Sequence, residues 1–153
     1  MHGCSITSDN PQQPLARILS IDYGKKRTGL AVTDPLQLIA GGLATVATHT
    51  LFEWLQDYVA RESVERIVIG EPRQPNGQPS ENLARVQQFV ARWRKAVPAV
   101  PIDFYDERFT SVLAHRAMLD GGLRKKARQD KALVDEVSAV IILQDYMRSR
   151  QIT

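Results

Sequence analysis

Residues 18–34, ILSIDYGKKRTGLAVTD, hold two short strand-forming runs separated by a glycine and three cations. The runs RILSIDY and TGLAVTD are rich in strand-forming residues, and GKKR between them reads as a tight basic turn, so the pair predicts two antiparallel strands. Asp22 falls inside the first run, where a carboxylate is costly to half-bury and is depleted. Either it merely begins the turn before Gly24, or its burial is repaid by a partner of opposite charge.

Working outward, LIAGGLATVAT predicts a third strand, interrupted or bulged at Gly41 and Gly42. The period then changes: Leu51, Trp54, Leu55, Tyr58 and Val59 follow the i, i+3, i+4, i+7, i+8 spacing of an amphipathic helix. RIVIG is a short apolar run of the kind buried on both faces of a sheet, and the loop EPRQPNGQPSE follows it. Leu83, Val86, Phe89, Val90 and Trp93 mark a second helix, and VPIDFYDE a fifth strand. TSVLAHRAML predicts a helix opened by a Thr cap and closed by Gly121 and Gly122. The basic loop LRKKARQDK and a long apolar helix, ALVDEVSAVIILQDYM, complete the order βββαβαβαα. A three-stranded meander followed by alternating strand and helix predicts an α/β fold, a mixed five-stranded sheet with helices on both faces, in the order used by ribonuclease H-like domains.

A chain of 153 residues has room for one domain, expected over residues 17–150. Residues 1–16 read as a flexible polar leader, since MHGCSITSDNPQQP lacks the basic start and apolar core of a secretory signal. With 43% hydrophobic and 24% charged residues, the composition is that of an ordinary globular protein, and no run approaches the roughly 20 apolar residues of a membrane span. The single cysteine, Cys4, forms neither an internal disulfide nor a multi-cysteine zinc site and fits a reducing cytoplasm. His2, His49 and His115 show no metal-ligand spacing, and neither a G-x-S-x-G nor a P-loop occurs. Trp54 and Trp93 fall on apolar helical stripes, which assigns them to the core.

The acids carry the chemistry. Asp22 at the end of the first strand lies near the middle of the expected sheet. Asp106 and Glu107 stand at the end of the fifth run, where open α/β sheets tend to carry ligands, and Asp135 falls in the first turn of the last helix. Converging carboxylates repel unless a cation neutralises them, and hard oxygen ligands suit Mg²⁺ or Mn²⁺. Two such ions about 4 Å apart can activate a water and stabilise the leaving oxygen of a phosphodiester. Taken singly, Glu107 also fits a solvated residue ahead of a helix, and Asp135 a complement to the helix dipole. The formal charge is +3. Lys25, Lys26 and Arg27 flank the first acid, and Arg124, Lys125, Lys126, Arg128 and Lys131 precede the last, within reach of phosphates on either side. Arg73 and Arg108 are further phosphate candidates, although Arg108 has carboxylates beside it to pair with.

The blocks SIDYGKKRTGLAVTD, IVIGEPRQPNGQPSE, DERFTSVLA and KALVDEVSAVIILQDYM resemble, in order and spacing, the four motif blocks of the YqgF family of pre-16S rRNA nucleases, also described as Holliday junction resolvase-like. The likeness runs from about Arg17 to Met147. It implies a ribonuclease H-like fold, a cytoplasmic bacterial protein, and metal-dependent nuclease activity in maturing the 5′ end of small-subunit ribosomal RNA. The family's acidic triad falls on Asp22, Glu107 and Asp135. Gly24 and Gly29 match glycines of its first block, and Gly70, Pro72, Asn76 and Gly77 match its second. Glu71 departs from the pattern, since an apolar residue is usual between Gly70 and Pro72, and RQPNG stands where sequences like LNMDG are common.

The carboxylates and basic loops predict a phosphodiester nuclease using Mg²⁺ or Mn²⁺, and the resemblance implies structured RNA as its substrate. The alternative within the enzyme class is a resolvase of four-way DNA, which cuts two strands symmetrically and so needs a two-fold dimer; a monomer or weak homodimer fits the chain. A nucleic-acid-binding factor with little catalysis is a second class. IDYGKKRTGLAV is also similar to the phosphate-binding turn of actin-like ATPases and sugar kinases, which need two such lobes where this chain has room for one.

Overall fold

The predicted hairpin forms, with β1 (Arg17–Asp22) and β2 (Arg27–Thr33) antiparallel and Asp22 opposite Gly29. The computed structural model describes residues 16–73, 76, 78, 80–115 and 131–151, the last range without the side chains of 131–133 and 151. All of the expected leader but Ala16 lies outside the described residues, as do the loop LRKKARQD and the glycines expected to close the helix after β5. The basic turn is pinned by Thr48, whose backbone N–H donates to the Lys26 carbonyl (2.9 Å) and whose hydroxyl donates to that of Gly24 (2.7 Å).

β3 (Ala40–Ala47) pairs antiparallel with β2, and its register shifts where Leu30 pairs with Ala44 but Ala31 with Gly42, leaving Leu43 as the extra residue beside the predicted glycine bulge. Helix α1 (Leu51–Arg61) crosses to β4 (Val64–Glu71), which lies parallel to β1. Helix α2 (Leu83–Ala96) crosses to β5 (Ile102–Asp106), parallel to β4. Helix α3 (Lys131–Gln151) ends the described chain. The strand order is β3-β2-β1-β4-β5, which makes β1 the central strand. With Ile21 level with Ile69, and Glu71 with Asp106, the strand ends at Asp22, Glu71 and Asp106 share one end of the sheet.

Strand alternation sends successive side chains to opposite faces, and each face has its own helices. Leu19, Ile21, Leu30, Ile67 and Ile69 pack against Leu51, Leu55, Phe89 and Trp93 of α1 and α2. Ile18, Ala31 and Val68 pack against Val112 and against Ala139, Ile142 and Leu143 of α3. Both tryptophans belong to the first core: Trp93 is buried with its Nε1 donating to the Val100 carbonyl (3.0 Å), and Trp54 stacks on Tyr58 (5.4 Å). The α3 face is lined with small residues. Ser20 donates its buried hydroxyl to the Ala139 carbonyl (2.7 Å), and Gly29, Ala31 and Gly42 lie beneath the same helix, so α3 seats directly on β1 and β2.

At the far end of the sheet a turn over 34–39 is organised by one carboxylate. Asp34 accepts backbone N–H bonds from Leu36 (3.2 Å), Leu38 (2.8 Å) and Ile39 (2.8 Å). Gln37 sits at φ 58° and is tied down by Nε2 bonds to the Ala16 carbonyl and Glu65. These N–H donors, that of Ile39 foremost, hold the Asp34 carboxyl below the usual carboxylate range. A folded-state pKa below the unfolded one adds stability above the ordinary value, which is lost as pH falls through the depressed value. Asp34→Asn, which resembles the protonated acid, should therefore lower the thermal midpoint at pH 7, and the gap from wild type should close as pH drops below about 4. A gap unchanged down to pH 3 would show that the charge contributes nothing here.

Candidate active site

Asp22, Glu107 and Asp135 line one cleft of about 390 Å³, together with Tyr23, Gly24, Pro72, Arg73, Ser80, Asn82 and Leu113. Each acid arrives on a different element. Asp22 is the last residue of the central strand, and Glu107 opens the 3₁₀ turn Glu107–Phe109 after β5. Asp135 is the fifth residue of α3 as described, one turn inside the helix and not in its first turn as the sequence suggested. Lys131, Ala132, Leu133 and Val134 are already helical ahead of it. A helix-dipole role fades beyond the first turn, so the place of Asp135 in the cleft is the better account of it.

Two glycines make the convergence possible. A Cβ on Gly29 would fall on the backbone carbonyl oxygen of Asp135, so only a residue without one lets α3 lie this close to β2. A Cβ on Gly70 would stand 2.7 Å from Glu107 Oε2 and 2.9 Å from Ile142 Cδ1. Glu107 is only 3% exposed, and its turn is held by Thr110, whose hydroxyl and N–H both donate to the Glu107 carbonyl (2.8 and 3.1 Å). The same Thr110 hydroxyl accepts the Val112 N–H (3.2 Å) and so opens the helical turn over 112–115, as the sequence predicted.

The neighbouring acids separate. Asp106 does not line the cleft. It accepts from the Arg108 backbone N–H (2.8 Å) and from the Arg108 guanidinium at Nε and Nη2 (2.7 Å at the shortest), and that guanidinium holds its carboxyl below the usual range. Arg108 is thus paired, as its surroundings allowed. Arg73 reaches both oxygens of Glu71 through Nε (3.2 Å) and Nη2 (3.3 Å), which gives the unusual acid a local partner. Arg27 donates Nε to Asp135 Oδ2 at 3.0 Å. Lys25 and Lys26 are exposed in the basic turn. Arg124, Lys125, Lys126, Arg128 and Gly77 lie outside the described residues, and Lys131 is described only in its backbone. Asn76 accepts the Gln78 N–H (3.0 Å), and Gly24 and Pro72 line the cleft.

Two contributors escaped the sequence reading. Asn82 precedes α2 in the place of a helix cap, yet its side chain makes no cap bond: its Nδ2 donates to the Tyr23 carbonyl (2.6 Å), tying the α2 loop to the turn after Asp22, while its buried Oδ1 has no partner among the described residues. Phe109 stands 72% exposed two residues beyond Glu107, a large aromatic ring open to solvent. An asparagine at a helix start reads as a cap, and a phenylalanine in a mixed run reads as core, so neither had a signal in the sequence.

All three lining carboxylates offer hard oxygens, the donor set of Mg²⁺ or Mn²⁺. Among the described residues no three acidic, histidine or cysteine side chains close up into a ready-made metal-binding group.

The family model described as RuvX, Holliday junction resolvase, matches residues 16–149. A Phocaeicola vulgatus protein provisionally named a pre-16S rRNA nuclease is 61% identical over 137 residues, covering 90% of this chain and 99% of that protein. A Bacteroides thetaiotaomicron protein of the same name is 58% identical over the same shares. Among solved structures, Thermus thermophilus RuvC in complex with Holliday junction substrate aligns with a TM-score of 0.54 at 20% identity, covering 88% of this chain and 96% of RuvC, which shows a shared fold.

Proposed function

The chain belongs to the RuvX family of Holliday junction resolvases, and on that premise we propose that it is a metal-dependent nuclease hydrolysing phosphodiester bonds of structured RNA, in maturation of the 5′ end of 16S ribosomal RNA. The observation that carries this is the arrival of Asp22, Glu107 and Asp135, from three separate elements, at one cleft. A substrate that is ribosomal precursor RNA would put the work in the cytoplasm. Among the described residues no helix is long and apolar enough to cross a membrane.

Asp22, Glu107 and Asp135 would hold Mg²⁺ or Mn²⁺, most simply as a pair of ions. The bound cations would supply the charge that lowers the pKa of an attacking water and neutralises the leaving oxygen. The chain does the rest. Buried Glu107, locked by Thr110, gives the cleft a fixed carboxylate that needs little reorganisation. Lys25 and Lys26, exposed in the turn that follows Asp22, would take the phosphate backbone, and Arg73, on the cleft wall, is oriented by Glu71. Such contacts position a strand without reading its sequence, so recognition would rest on the shape of the RNA.

The description of the matching family favours a second substrate, the four-way DNA junction, which calls for two active sites in a two-fold dimer. Cleavage of a 16S precursor fragment, a matched DNA duplex and a four-way junction in Mg²⁺, Mn²⁺ and chelator separates the two. We expect metal-dependent cutting of the precursor above both DNAs. Preferential, symmetric cutting of the junction would transfer the assignment to resolvase. Binding of the precursor with equal strength in metal and chelator, with nothing cut, would make the chain a binding factor instead.

A further inference from the structure

Three arginines pair with carboxylates at or beside the cleft, and they do so unequally. Arg108 on Asp106 and Arg73 on Glu71 each use two guanidinium nitrogens against an acid two residues away. Arg27 reaches across from β2 to α3 and holds Asp135 through Nε alone, and among the described residues its other two nitrogens make no bond. The partners are 41% and 24% exposed. A one-point, half-exposed pair is weak and easily displaced, whereas the fork geometry of a guanidinium is best used on a carboxylate or phosphate taken by two nitrogens.

We propose that Arg27 is a mobile counter-ion for Asp135. Without a divalent cation it neutralises that carboxylate, and it passes from Asp135 to a substrate phosphate when cation and nucleic acid bind together. The inference rests on the reading of the cleft as a metal-dependent nuclease site. It gives the bond from Arg27 Nε to Asp135 Oδ2 a role at the cleft. It also solves an electrostatic problem, because three carboxylates around one opening repel, and a cation from the protein relieves that repulsion until the metal arrives. The exchange couples the two ligands: a phosphate that draws Arg27 away frees Asp135 for the metal, and by linkage the metal frees Arg27 for the phosphate. Arg27 is then a positioning residue that discourages metal loading before substrate.

The test is titration of Mn²⁺ alone into the full chain, with free Mn²⁺ followed by electron paramagnetic resonance. Arg27→Gln should bind Mn²⁺ about two- to fivefold more tightly than wild type, the range expected from removing a competing half-exposed pair. Lys26→Gln, which removes an exposed neighbouring charge, should change the affinity less, and Arg27→Lys should stay nearer wild type. Damage to the fold would weaken binding, so a gain in affinity is a readout that a merely structural role cannot give. Unchanged or weaker Mn²⁺ binding by Arg27→Gln would overturn the proposal, as would an equal gain in Lys26→Gln. Absence of any saturable Mn²⁺ binding that Asp22→Asn removes would overturn the nuclease-site reading as well, so the two failures are distinct.

Discussion

Asp22→Asn is expected to lower metal-dependent cleavage by about 10³-fold, the scale of losing one preorganised electrostatic group at a reacting centre, while leaving the thermal midpoint unchanged or slightly raised. The asymmetry follows from the geometry. Asp22 ends the central strand and shares its cleft with two other carboxylates, so removing one negative charge relieves repulsion in the metal-free protein, while under the proposed function it removes a ligand of the metal. Glu107→Gln should give a loss of the same order, since the isosteric amide keeps the packing under Gly70 but cannot supply a charged oxygen. Asp106→Asn is the control. Asp106 holds Arg108 and does not line the cleft, so its loss should cost about tenfold or less. Cleavage rates with thermal melts of the three variants check the pattern. Equal losses in Asp106→Asn and Glu107→Gln, or full activity in Asp22→Asn, would show that the cleft is not where the phosphodiester is cut.

The contrast between Asp106 and Glu107 also marks where sequence reasoning stops. That acids would end β1 and follow β5 was legible, because strand-forming runs have a recognisable period and each acid stands at a run's edge. The order of elements along the chain was legible from the meander and the alternation behind it, while the order across the sheet, β3-β2-β1-β4-β5, comes from the structure. Which of two adjacent acids faces the cleft depends on the turn that follows the strand, and here a 3₁₀ turn sends Glu107 inward and leaves Asp106 to cap it. Resemblance to the family had assigned Glu107, and the turn supplies the physical reason. The arginines were legible as cations but not as partners: Arg27 meets an acid 108 positions away. Ser20 shows the same limit, since a hydroxyl amid apolar residues has no evident purpose until the Ala139 carbonyl appears above it. Contacts carried by tertiary packing leave no local pattern, whereas the glycines beneath α3 do leave one, and it can be tested.

Gly29→Ala should lower stability by about 2–3 kcal/mol, toward the upper end of the cost of overpacking, which for a chain of this size is a fall of roughly 4–12 °C in thermal midpoint. The new methyl would meet the Asp135 carbonyl oxygen and carbon and the Glu136 nitrogen, all of them backbone, so no rotamer change relieves it and α3 must lift from β2. Cleavage should fall about 100-fold in the fraction that still folds, because a shift of about 1 Å in a reacting group is worth that much. Two other glycines make the argument specific. At Gly42 the methyl would meet only the far end of the Glu136 side chain, which can swing away, and at Gly41 it would meet nothing within 4 Å. Both alanine variants should therefore stay within about 0.5 kcal/mol of wild type, as open positions do. Neither should be stabilised by much, because the entropy gained by losing a glycine is only about 0.4–1 kcal/mol and small adjustments of the strand work against it. Melting curves and cleavage rates for the three variants decide the matter. A large loss confined to Gly29→Ala means that close seating of α3 places Asp135 in the cleft, whereas equal losses at all three would trace the effect to the general response of β2 and β3 to added side chains.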